Sequence, residues 1–77
     1  MMGFLELHAR LVNRLRLRVM NGEATERALA RSLGVSQPHI HNVLSGHRML
    51  SLKMADQIMK ILELSIADLL DGDGAGR

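Results

Sequence analysis

The stretch SLGVSQPHIHNVLSG, Ser32 to Gly46, decides how this chain folds. Pro38 lacks an amide proton and breaks helix interiors, yet Ile40, Val43 and Leu44 keep helical spacing around it. The conflict disappears if a short helix begins here, because the first amides of a helix have no intrahelical partner. Pro38 disfavours helical geometry at Gln37, so either Ser36 or Gln37 can serve as the cap. In both cases the corner Gly34-Val35-Ser36 separates this helix, running to about Ser45, from an earlier one.

Outward from that corner, the chain divides at glycines and at hydroxyl residues suited to capping. A first helix is predicted from about Gly3 to Met20, with Leu7, Leu11, Leu15 and Val19 on one side and Asn21-Gly22 closing it. Thr25 caps a second, Glu26 to Leu33, with Leu29 and Leu33 facing the core and Gly34 stopping it. Gly46 ends the third. Ser51 caps a fourth through about Glu63, with Ala55, Ile58, Ile61 and Leu62 inward and Asp56 placed to pair with Lys60. Ser65 and Asp68 form a capping-box pattern ahead of a last helix, Ile66 to Leu70. The fold class expected is all-α, a compact bundle of five helices within residues 1–70. The tail DGDGAGR, 71–77, is expected to be disordered.

Composition narrows the function. The chain has 77 residues, 47% of them apolar, with Phe4 its single aromatic and no cysteine. That is room for one small core of aliphatic residues and none for a disulfide framework, and it fits a cytoplasmic protein. Charges interrupt the apolar residues too often for a membrane span, and Glu6, His8 and Arg10 break any leader-like core. The net charge of +2 says little, but its distribution says more. Arg10, Arg14, Arg16 and Arg18 stand against Glu6 alone in the first 22 residues, whereas acids outnumber bases after Ser51.

On a helical wheel with Ile40, Val43 and Leu44 inward, the third helix turns Pro38, His41, Asn42 and Ser45 outward. His39 lies on a flank and Gln37 projects from the open N-terminal end. This face has no carboxylate and no bulky aliphatic residue, so it can approach a polyanion and still offer specific hydrogen bonds.

These features resemble the phage-repressor and Cro-like helix-turn-helix domains of the lambda-repressor-like class. The resemblance covers roughly Leu11 to Leu70 and rests on TERALARSLGVSQPHIHNVLSGHRMLSLKMADQIMKILELSIADLL. Its marks are the small Ala30 between the two motif helices, Gly34 at the turn, the VSQ opening, Ile40 in the core, Gly46 after the third helix, and the serine-capped last two helices. The resemblance implies sequence-specific binding of double-stranded DNA by a transcriptional regulator, a bacterial or phage repressor, acting as a homodimer on two half-sites. It places Gln37, Pro38 and Asn42 at base-reading positions, with His41 beside them on the same face. Gln and Asn can each pair bidentately with adenine, worth about 1 to 3 kcal/mol of discrimination, and Pro38 offers apolar contact, as to a thymine methyl. Backbone contacts would fall to Thr25, Arg27, Ser36, His39, Ser45, His47, Arg48 and Lys53. His41 and His47 on phosphate would bind better once protonated, as pH falls through about 6.5.

Two departures from the family pattern stand out. Glu26 occupies a place where the family commonly has a phosphate-touching glutamine, so that contact passes to Thr25 or Arg27. The loop between the first two helices reads one residue longer.

The alternatives are less demanding. A helical protein-interaction or antitoxin-type module would keep the fold and lose DNA binding, with Glu26 its best support. The Arg10, Arg14, Arg18 ladder at i+4 spacing either awaits an anionic neighbour or is a solvated basic face offset by Glu6. Phe4, Leu5, Val12, Leu17 and Met20 exceed one core-facing stripe, which makes helix one a candidate surface for a second copy, beside Ile66, Leu69 and Leu70 of the last helix. His39 and His41 diverge by about 200° on a helix, so no metal site is expected, and DGDG lacks the rest of a calcium loop. No cofactor is implied. With no cysteine, no serine beside a base and acid, and no phosphate-cradling glycine loop, the chain is expected not to be an enzyme.

Overall fold

A computed structural model describes residues 2–71. Of the predicted tail, 71–77, only Asp71 is among them, as the residue that closes α5; residues 72–77 lie outside the described residues. Within them the chain forms five α-helices and no strand: α1 (Phe4–Met20), α2 (Glu26–Leu33), α3 (Gln37–Leu44), α4 (Leu52–Leu62) and α5 (Ile66–Leu70). The radius of gyration is 11.8 Å, near the roughly 11.5 Å of a compact domain of this length.

The punctuation predicted from the sequence sets these boundaries. Thr25 Oγ1 accepts from the Ala28 amide, and Gly34 closes α2 in the left-handed region at φ 73°. Ser36, not Gln37, caps α3: its hydroxyl accepts from the His39 amide, and Pro38 sits in the first turn, where its missing N–H costs no hydrogen bond. Ser51 caps α4 through the Met54 amide. At α5 the capping box is complete, with the Asp68 carboxylate accepting from both the backbone N–H and the hydroxyl of Ser65 at 2.7 and 3.0 Å. Those two bonds, aided by the Arg14 charge, hold the Asp68 carboxyl below the ordinary aspartate value of 3.8.

The core is aliphatic. Leu15, Ile40, Ile58 and Val43 are its most completely buried side chains, contributed by α1, α3 and α4. Around them close Leu11, Leu29, Ala30, Leu33, Leu44, Met54, Leu62 and Leu69, with Leu7 and Val19 packed at the margin. α2 packs on α3, while α1 runs the length of the bundle against α3, α4 and α5.

Three expectations are corrected. Ile61 is 45% exposed, and Met54 takes the inward place on α4. The inward stripe there runs Met54, Ile58, Leu62 at i, i+4, i+8, rotated from the one that Ile61 suggested. Val12 is only 5% exposed and Leu69 3%, so both belong to the core and neither is available to a second copy. The arc of α1 covered by its neighbours is wider than a single heptad stripe because three helices pack on it.

The arginine ladder of α1 also finds its partners inside the chain. Arg10 donates to the Leu69 and Leu70 carbonyls at 2.8 and 3.2 Å and to Glu6 at 3.1 Å. Arg14 reaches the Asp68 carbonyl at 3.4 Å, and Arg18 faces Glu23 at 3.5 Å. Two guanidinium groups therefore sit at the negative end of the α5 dipole, which relieves the like-charge spacing. Asp56 and Lys60 pair at 3.2 Å as predicted.

Candidate nucleic-acid interface

Burial of Ile40, Val43 and Leu44 fixes the rotation of α3 about its axis and so settles which side chains face out. Pro38, His41, Asn42 and Ser45 are exposed, His39 is half-buried on a flank, and Gln37 stands exposed as the first helical residue. No hydrogen bond engages the Gln37 or Asn42 amide among the described residues, which leaves their full donor and acceptor sets available.

Hydrogen bonds hold this face at both ends. Val35 N–H donates to the Ala30 carbonyl at 3.0 Å, closing the turn after α2. At the far end Arg16 of α1 donates through Nε and Nη2 to the Leu44 carbonyl at 3.0 and 2.6 Å, so the last turn of α3 is held by a charge-assisted fork. The His47 and Arg48 amides then fold back onto the Asn42 carbonyl at 2.8 and 3.1 Å, with Gly46 left-handed at φ 85°.

Glu26, the carboxylate at the first position of α2, is partly covered and finds a partner. Its Oε2 lies 3.2 Å from Nδ1 of His41 across the corner. A shallow depression lined by Glu26, Gln37, Pro38 and His41 joins the start of α2 to the outer face of α3. Sequence reasoning marked Glu26 as an obstacle and His41 as a base contact. Nothing in a spacing of 15 residues signalled that they would meet.

The expected backbone contacts are dispersed around this depression. Thr25 and Ser36 accept their capping amides, and each keeps a hydroxyl proton to donate. Arg27 is exposed on the first turn of α2, Arg48 in the loop after α3, and Lys53 on the first turn of α4; none meets a carboxylate among the described residues. Ser45 caps α3 and donates to the His41 carbonyl at 2.8 Å, while its oxygen lies 3.0 Å from Nδ1 of His47. With that hydroxyl proton engaged, His47 Nδ1 is the donor, and its free Nε2 accepts unless the ring is protonated.

A helix-turn-helix family model matches residues 23–69, well over half of the chain and the whole of α2 to α4. The chain belongs to the Cro/C1-type helix-turn-helix family. No curated protein and no solved structure matches it. Membership places this helix-turn-helix protein among DNA-binding transcription regulators. No helix among the described residues is long and apolar enough to cross a membrane.

Proposed function

We propose that the chain is a sequence-specific repressor that reads the major groove with the outer face of α3. Residues 1–70 form the binding domain, and it works in the cytoplasm. The observation that carries this reading is the unpartnered set of Gln37, Pro38 and Asn42 on the exposed side of a helix held at both ends, by Ser36 and by Arg16. Gln37 and Asn42, with His41, select bases. Pro38 supplies apolar contact, and Thr25, Arg27, Ser36, His39, Ser45, His47, Arg48 and Lys53 set register on the phosphates.

Two half-sites call for a homodimer. An apolar groove between α1, α4 and α5, bordered by Phe4, Leu7, Ala55, Met59 and Ile66, supports a second copy on that side, with Leu70 exposed nearby in sequence. The same groove supports the alternative reading, a module for a different protein partner in the manner of an antitoxin.

Selection from a random pool of double-stranded DNA, followed by binding across a salt series, separates the two. A DNA reader shows a log-linear loss of affinity with salt and an enriched sequence. Asn42→Ala then relaxes one position by about 1 to 3 kcal/mol without changing stability. Binding that ignores salt, or a pool that remains random, refutes the repressor reading.

A further inference from the structure

We propose that Glu26 is a specificity-determining residue: it fixes which nitrogen of His41 carries the proton and thereby sets the class of base that His41 reads. This rests on the major-groove reading above and deepens it.

A carboxylate can only accept a hydrogen bond, so the 3.2 Å contact between Glu26 Oε2 and His41 Nδ1 assigns the proton to Nδ1. In the neutral ring the other nitrogen, Nε2, is then an acceptor, and no described residue bonds it. The ring is two-thirds exposed (66%), while the Glu26 side chain is covered to a much greater degree (26% exposed), so the carboxylate acts as the anchor and the imidazole as the presented group. Glu26 is held in turn by its place on the first turn of α2, where the helix dipole favours a negative charge.

Other ionisable groups do not compete for the ring. Its neighbours one turn away along the chain are Gln37, Pro38 and Leu44 of α3 and the capping Ser45, all uncharged. From α1 the cation that reaches α3 is Arg16, and it is bound to the Leu44 carbonyl. From α2 the group that meets His41 is Glu26 itself.

An acceptor directed into the major groove pairs with an exocyclic amino group, which adenine and cytosine carry on their groove edges and thymine and guanine lack. The neutral His41 therefore favours adenine or cytosine on one strand at one position. Thymine and guanine there set acceptor against acceptor, which leaves two desolvated oxygens or nitrogens unpaired. Glutamine at position 26 would abolish this rule, because its amide can donate or accept and so does not fix the tautomer.

The test has two arms, both at pH 8, above the range in which histidine ordinarily protonates. In the free protein, nitrogen-15 NMR of the histidine rings is expected to show His41 as the Nδ1–H form, and as a mixture in Glu26→Gln. Finding His41 as the Nε2–H form in the unmodified protein overturns the inference, whatever the protein does to DNA. In the second arm, selection from random duplex DNA is expected to show one position enriched in adenine or cytosine. Glu26→Gln and His41→Ala each relax that position by about tenfold, and the double variant relaxes it no further. Circular dichroism confirms that the variants stay folded. A pool that stays random with the unmodified protein brings down the major-groove reading and this inference together. A selected site that Glu26→Gln leaves unchanged brings down this inference alone.

Discussion

On α1, Arg10, Arg14 and Arg16 turn their guanidinium groups onto carbonyls at the ends of α5 and α3, whereas Arg27, Arg48 and Lys53, around the helix-turn-helix, meet no carboxylate among the described residues. By sequence the first group is the denser run of positive charge and the more inviting surface for a polyanion. By structure its charge is directed inward, to helix ends that carry partial negative charge. The difference teaches that net charge along a chain locates cations without saying which of them remain available. Availability depends on whether an acceptor that every residue owns, its backbone carbonyl, has been brought within reach.

The largest effect that would break this contrast is at Arg16. Replacing it by Met should remove two charge-assisted bonds to Leu44 and lower unfolding stability by about 2 to 3 kcal/mol in urea titration. A loss under 0.5 kcal/mol would mean that α3 does not depend on α1 for its far end. Arg10→Met should cost less, about 1 kcal/mol, since Glu6 and the α5 carbonyls are partly solvated, and its signature is faster amide exchange in α5 while α3 stays protected. On the other side of the comparison, Arg48→Gln and Lys53→Gln should each leave stability within about 0.5 kcal/mol. Each should nonetheless reduce the slope of log affinity against log salt by about 0.9, read by fluorescence anisotropy on duplex DNA. If either lowers stability and leaves that slope alone, it belongs with the α1 arginines.

The smallest expected effect concerns acid. The Asp68 carboxyl is held below 3.8 by its bonds to Ser65, so its contribution to α5 is complete above that value and is lost as pH falls through the lowered one. The protection of the α5 amides, corrected for the intrinsic pH dependence of exchange, should fall as pH drops below 3.8 in the unmodified protein. Asp68→Asn should already show loosened α5 at neutral pH and no further change of this kind on acidification.

Much of the fold was legible because the sequence marks its own interruptions. Gly34 and the hydroxyls of Thr25, Ser36, Ser51 and Ser65 name the helix limits chemically, and α2 and α5 begin and end at the predicted residues. Rotation about the helix axis was harder to read where apolar residues flank the stripe. Ile61 and Met54 are both acceptable core residues, and only the position of the neighbouring helices chooses between them. At the candidate site, the outward direction of Pro38, His41 and Asn42 followed from helical geometry alone. The Glu26–His41 contact did not, because it spans a turn and obeys no period, and the Arg16 fork did not, because its acceptor is a carbonyl indistinguishable in sequence from every other.

α1 grips the last turn of α5 through Arg10 and the last turn of α3 through Arg16, six residues and roughly 9 Å of helical rise apart. It is thus a strut joined at one point to the end of α5, beside the apolar groove, and at another to the end of α3, the helix that carries the exposed Gln37 and Asn42. Because a helix turns about 100° with every residue, adding or removing one residue between Arg10 and Arg16 carries one of them away from its carbonyl, so the two grips together fix the rotation of α1 against α3 and α5.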